Sequence, residues 1–373
     1  MKWLRIREMV RKEFIQLFRD RRNRPLLIVA PLIQIIMFGY VVTTDVRDIR
    51  LGLLDQSRTP ESRRLVDALV GNPTFRITHR VDRPRQLDAL LVRRSVDATV
   101  RIPPDFASRI RRRETAPVQI LVDGGASNLA AVRIAHMMTV IERFNTEILL
   151  ERFGRRIDYG QIDERVRTWY NPNLDSRHYY VPGIVAFLVM LLTLLLTSMA
   201  IIREKESGTM EQLIVTPLQP AELILGKTIP FILIAQAQMV VVTLFAKLWF
   251  GVPLVGSLPL LFGATCLFLV STLGLGLFIS TVSQSQQQAM MTTFFFILPI
   301  FMLSGFVFPI RNMPTVVQWL TILNPLRYML VIIRGIFLKG VGFTALWHQF
   351  AGLTLIGLMV FGGAVSRFKK RLD

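Results

Sequence analysis

Beyond Glu222 the sequence contains no aspartate or glutamate until Asp373, so about 150 residues of mostly apolar chain lack the carboxylates that ion-driven pumps usually hold within their spans. Cysteine is almost missing. The lone Cys266 excludes an internal disulfide and a cysteine metal cluster. The four histidines, His79, His136, His178 and His348, are scattered, and neither H-E-x-x-H nor G-x-S-x-G occurs. Metal-assisted and serine hydrolysis therefore lack their residues.

What the chain has in quantity is apolar length. Its 373 residues are 51% hydrophobic, and the apolar residues gather in long runs, in which Lys247 is the one charged residue, rather than in a dispersed core. The runs cover 25–44, 181–202, 229–250, 259–282, 289–310 and 349–366. Each is long enough to cross a bilayer as a helix or nearly so. The expected fold is an α-helical polytopic membrane protein with six spans and an inserted extracytoplasmic α/β domain. Six spans place both termini on one side. The first run has a basic flank like a signal peptide, but FGYVVTTD offers no small-x-small cleavage site, so it reads as an uncleaved anchor.

Orientation follows from short basic flanks. Nine Lys or Arg precede the first span, and Arg367, Lys369, Lys370 and Arg371 follow the last, which predicts cytoplasmic termini. Arg311, Arg327, Arg334 and Lys339 pull the other way, because this topology puts them outside. The net charge of +19 invites a nucleic-acid reading. In residues 45–180, however, arginines are interleaved with acids and not gathered with stacking aromatics, as on a solvated surface.

Residues 1–24 are expected to form a cytoplasmic amphipathic helix. Trp3, Ile6, Val10, Phe14, Leu17 and Phe18 recur at helical spacing among basic residues, a pattern that suits either anionic headgroups or packing on protein. Residues 45–180 contain arginine but no lysine. There IRLGLLD, FRITHRV, DATVRIP and VQILVDG read as strands, and 60–70, 84–93, 104–112 and 127–152 as helices. The alternation predicts a partly parallel sheet covered by helices. Residues 181–373 hold the other five spans. Within them, 311–348 is interrupted by Pro314, Asn324, Pro325, Arg327 and Arg334, yet is apolar enough to lie on or dip into the outer leaflet.

Gly226, Lys227 and Thr228 spell the end of a phosphate-binding loop, but the glycine needed five residues earlier is Ala221. Lys227 reads instead as a cation snorkelling at a membrane boundary. Amides and hydroxyls within the runs, such as Gln34, Gln236, Gln238, Ser271 and Thr272, read as links between helices.

The charged loop 203–228 separates the second and third runs. Thr209 and Gln212 form a capping box, Met210, Leu213 and Ile214 an apolar stripe, and Thr216–Pro217 a stop. Pro220 opens a second helix leading into the third span, with bends expected at Gly226 and Pro230. Such a stub either docks into a partner's groove or is simply solvated.

The run REKESGTMEQLIVTPLQPAELILGK resembles the signature of ABC-2 type transport permeases, and NPLRYMLVIIRGIFLKG at 324–340 resembles their second characteristic segment. The insert (LGLLDQSRTPESRRLVDAL, VDATVRIPPDF, PVQILVDGGASN), followed by WYNPNLDSRHYYVPG, resembles the multidrug-exporter-like branch, with its large extracytoplasmic domain after the first span. The resemblance implies a bacterial inner-membrane permease, paired with a second copy or a related permease. It implies separate ABC ATPase subunits that hold ATP and magnesium, leaving no cofactor on this chain. It further implies a coupling helix containing Glu206, Gly208, Thr209, Glu211, Gln212 and Leu213, with Glu204 and Pro217 beside it. A periplasmic adaptor and an outer-membrane duct are further partners of that branch. Other readings are a membrane receptor or scaffold that uses the inserted domain without transport, and a proton-coupled antiporter.

Overall fold

A computed structural model describes residues 2–19, 23–41, 48–124, 127–153, 169–171, 175–208 and 220–369. The chain divides into two compact units, Thr44–Val166 and the remainder, Met1–Thr43 with Arg167–Asp373. The remainder begins with α1 (Lys2–Arg19) and α2 (Asn23–Val41).

In the smaller unit, β1 (Ile49–Asp55), α3 (Pro60–Val70), β2 (Phe75–Arg80), α4 (Pro84–Val92), β3 (Ala98–Ile102), α5 (Phe106–Arg112), β4 (Gln119–Val122) and α6 (Ser127–Phe153) alternate along the chain. The sheet runs β2-β1-β3-β4. β1 pairs parallel with β2 and β3, while β4 is antiparallel to β3. Period-two alternation decides what each face meets. Ile49, Leu51 and Leu53 share a core with Leu65 and Leu69 of α3 and Met137, Val140 and Phe144 of α6. Gly52 turns the other way, toward Leu87 and Leu90 of α4. Thr59 starts α3, accepting from Ser62 N while Pro60 occupies the first helical position.

Asp97 ties this sheet to its helix layer. Its carboxylate accepts Arg50 N and Nε, each at 3.0 Å, and Arg133 Nη2 at 2.9 Å. Burial pushes this carboxyl up, but the Arg50 bonds and the Arg133 charge outweigh it and hold it below the usual carboxylate range.

The larger unit continues with α7 (Ser176–Glu206), α8 (Pro220–Phe250), α9 (Leu258–Val282), α10 (Gln286–Met302), α11 (Thr315–Thr321), α12 (Pro325–Arg334) and α13 (Phe343–Lys369). Among the described residues, four stretches are long and apolar enough to cross a membrane: Ser176–Glu204, Glu222–Phe250, Leu258–Val282 and Phe343–Ser366. A fifth is counted if Thr315–Thr321 and Pro325–Lys339, bent by 79°, form one broken span. α2 and α10, over the first and fifth runs, are shorter, with 19 and 17 residues. The chain is thus a polytopic helical protein.

α7 is the axis of this unit. Val181, Ile184, Val185, Leu188, Val189, Met190 and Leu194 are all buried, as expected of a helix that is apolar all round and surrounded by others. At Gly274 of α9 an added Cβ would lie 2.7 Å from the backbone N of Phe361, so the absence of a side chain lets α13 close in. Two of the amides and one hydroxyl link helices as expected. Gln236 donates to Phe262 O at 3.2 Å on α9, Gln238 to Leu188 O at 3.2 Å on α7, and Ser271 to Leu353 O at 3.5 Å on α13. Thr272 instead bonds within its own helix, to Leu269 O.

The interrupted region does not lie along a surface throughout. Asn324 caps α12, accepting from Leu326 N at 3.0 Å and donating to Ile300 O at 2.7 Å. Leu326, Met329, Leu330, Ile332 and Ile333 are then buried, and the helix widens into a π turn over Gly335–Lys339. α12 packs against α7, α9 and α13. Its apolar face is covered by protein, while α11 leaves Val316, Trp319 and Leu320 exposed.

Candidate functional site

The charged stretch 203–228 is not one loop. Residues 203–206 complete α7 and 220–228 begin α8, leaving only 207–219 between the helices. Hydropathy windows stop at charged residues, whereas a helix continues wherever those charges find partners. Here they find them on α1.

Met9, Glu13 and Leu17 of α1 lie four residues apart on one face, and all three are buried. Close approach to α8 depends on Gly226, where a Cβ would sit 2.6 Å from Met9 Cγ. Gly226 is a contact point between two helices, and α8 continues through it. Pro230 does fall within α8. α1 therefore packs one face on protein and leaves Trp3, Leu4, Ile15 and Phe18 exposed.

Six charged residues close this junction. Lys227, 3% exposed, makes ion pairs with Glu204 of α7 and, at 3.7 Å, with Glu13 of α1. Lys12 Nζ donates to Glu204 Oε1 at 2.9 Å. Arg5 approaches Glu222 at 3.9 Å. Lys227 thus does not snorkel to solvent: its head is held inward by two carboxylates and also donates to Ala200 O at 3.5 Å. Burial pushes the Glu13 carboxyl up, with the nearby Lys227 charge pulling it back only in part. Glu204 and Glu222 lie at the ends of two spanning candidates, just outside the acid-free runs 181–202 and 229–250.

Of the expected coupling residues, Glu204 is 2% exposed and turned into this cluster, so its carboxylate is not presented outward. Glu206 is exposed and reaches α10. Its carboxylate accepts Gln286 N at 2.8 Å and Gln286 Nε2, occupying the first turn of α10 where a helix favours negative charge. These two donors hold the Glu206 carboxyl below the usual range. Gly208 adopts φ +70°, the left-handed conformation that ends a helix without a Cβ penalty. Thr209, Glu211, Gln212, Leu213 and Pro217 lie outside the described residues.

Residues 204–208 thus connect four helices. Through Glu204, α7 is fastened to α1 and α8; through Glu206, to α10. Sequence reasoning missed Lys12, Glu13, Lys227 and Gln286. The one signal available was Glu13 set between Met9 and Leu17 on an apolar stripe, the pattern of an acid that must be paired. Among the described residues no group of His, Cys, Asp and Glu is arranged to hold a metal.

The chain is similar over its whole length to known transport proteins. It is 33% identical over 383 residues to "Probable multidrug ABC transporter permease YbhS" of Escherichia coli (strain K12), covering 100% of this chain and 99% of that protein. It is 29% identical to "Probable multidrug ABC transporter permease YbhR" of the same strain, with 99% of each chain covered. It is 26% identical to "Inner membrane transport permease YhhJ", covering 97% of this chain and 96% of that one. The family model described as "ABC-2 family transporter protein" matches residues 25–366, which takes in the inserted sheet, the spanning candidates and Glu204, Glu222 and Lys227 of the charged junction, while α1 lies before it. The chain belongs to the ABC-2 transporter family.

Proposed function

We propose that this chain is the membrane permease subunit of an ATP-driven exporter that moves a hydrophobic or amphipathic, drug-like substrate out across a bacterial inner membrane. α2, α7, α8, α9, α10 and α13 are its six spans, with α11 and α12 entering from the outer leaflet. Both termini and residues 207–219 face the cytoplasm, and residues 45–180 lie outside. ATP hydrolysis takes place on separate ABC ATPase subunits, and a second permease, identical or related, completes the pair. A periplasmic adaptor and an outer-membrane duct extend the path where the host has two membranes.

One observation carries this reading: Glu204 and Glu206, two residues apart, fasten the start of the 207–219 connection to α1, α8 and α10. A push delivered to Thr209–Pro217 by an ATPase is therefore passed to several helices at once, not to one loop. Glu211 and Leu213 are its contacts with the partner, and Glu206 orients the stub through Gln286.

The test is purification of the chain together with the products of its neighbouring reading frames, where an ABC ATPase is expected to come along. Glu211→Arg is expected to abolish ATPase association or transport-stimulated hydrolysis while membrane insertion stays intact. Normal coupled transport in that variant, or uphill transport by this chain alone in vesicles, overturns the proposal. A receptor or scaffold would bring no ATPase with it. The buried Glu13–Lys227–Glu204 group favours one second reading, proton coupling, which predicts that transport collapses when the proton gradient is dissipated at constant ATP.

A further inference from the structure

At the N-terminal end of α7, a helix length of about 45 Å from the Glu204 junction, three cations gather. Arg334, the last residue of α12, stacks 3.8 Å from the Tyr179 ring centroid and 5.9 Å from that of Phe306. Its Nε donates to Tyr179 O at 3.2 Å and its Nη1 to the Tyr179 hydroxyl at 3.1 Å. Its Nη2 is buried and has no hydrogen-bond partner. Arg177, two residues before Tyr179, has a buried Nε that also lacks a partner and sets its guanidinium 5.5 Å from the Tyr40 ring. Lys339, five residues past Arg334, approaches the Tyr170 ring at 5.7 Å. None of the three pairs with a carboxylate among the described residues, and residues 223–372 contain none to offer.

Aromatic faces and neutral oxygens compensate a desolvated guanidinium only in part. An oxyanion is what its planar fork of N–H groups matches best. The surroundings define the rest of the ligand. Val307 and Phe308, beside Phe306, and Val331, on the turn before Arg334, are exposed apolar side chains. We propose that Arg334 binds an oxyanion, a carboxylate or phosphate, at the head of an amphiphile whose tail lies on this apolar surface. The occupant is either a phospholipid of the bilayer or a free amphiphile. The site concerns binding alone and stands whether or not the chain is driven by an ATPase.

The test uses the purified full chain in detergent, with 11-(dansylamino)undecanoic acid and its uncharged methyl ester as probes. The expected result is that the acid binds about tenfold more tightly than the ester, as one charge-assisted contact allows. Arg334→Gln is expected to bring the ratio to about one, and Arg334→Lys to roughly threefold, while Arg327→Gln leaves it unchanged. A wild-type ratio near one, or an undiminished ratio in Arg334→Gln, overturns the proposal. Where Arg334→Gln does not fold, Arg334→Lys decides, since a point charge cannot present the same fork; an unchanged ratio there counts against the site. Nanodiscs distinguish the sources. Phosphatidylglycerol displacing the acid from the wild-type chain, relative to discs of phosphatidylcholine alone, assigns the site to bilayer lipid, and undiminished binding assigns it to a free amphiphile.

Discussion

Lys227 and Glu204, on adjacent helices, meet as an ion pair with 3% of either side chain exposed. Removing Lys227 leaves the buried Glu204 with Lys12 alone as its cation, whereas removing Glu204 as well takes that cost away. Lys227→Met is expected to destabilise the protein by about 3 kcal/mol, and Lys227→Met with Glu204→Met by much less. Thermal unfolding of the two variants in one detergent measures the difference. Equal losses in single and double variants count against the pairing.

Glu13 behaves oppositely. Its carboxyl is raised by burial first, so between the ordinary glutamate value of about 4.3 and its own higher value the folded state binds more protons than the unfolded one. Stability therefore falls as pH rises through that window. Glu13→Gln is expected to flatten this slope and to be neutral or stabilising above it, in contrast to Glu204→Gln. Melting temperatures taken from pH 4 upward check the sign.

At Gly226 the constraint is steric. Gly226→Ala is expected to push α1 away from α8, because its Cβ would lie 2.8 Å from Met9 Cβ. Met9→Ala should not restore the contact fully, since Met9 Cβ remains, but it removes the clash with Cγ at 2.6 Å. Limited proteolysis of residues 2–19 reads the separation as faster cleavage, fastest in the single variant.

Asp97 gives a prediction in the smaller unit. Its depressed carboxyl contributes stability that is complete above the unfolded value of about 3.9 and is lost as pH falls through its lower folded value. At neutral pH Asp97→Asn is expected to cost roughly 1–3 kcal/mol. Hydrogen exchange in the full chain should then quicken in β1 and β3, and remain unchanged in α9.

Much of the smaller unit was legible in the sequence. The expected strands all formed within two residues of their ends, because period-two apolar runs bounded by Pro, Gly and Asp leave little choice. The expected helices formed as well; Pro60 and Pro84 mark two of their starts. Less was legible where a residue's state depends on a distant partner. Lys227 resembles any boundary lysine until Glu13 and Glu204, from two other helices, are placed around it. Glu206 looked free for a partner because the bond to Gln286 spans 80 positions. The burial of α12 likewise came from its neighbours, since its own sequence suits a leaflet surface equally well.

The shortness of α10 bears on the surrounding lipid. Its 17 residues extend about 25 Å, less than the roughly 30 Å of hydrocarbon, and Met291, Phe294, Phe295 and Leu298 are exposed along it. Where α10 spans the membrane, as proposed above, acyl chains bordering that flank would tilt or shorten to avoid hydrophobic mismatch, while those beside the longer α9 would not. The proposed six-span arrangement thus predicts a rim of thinned bilayer along α10.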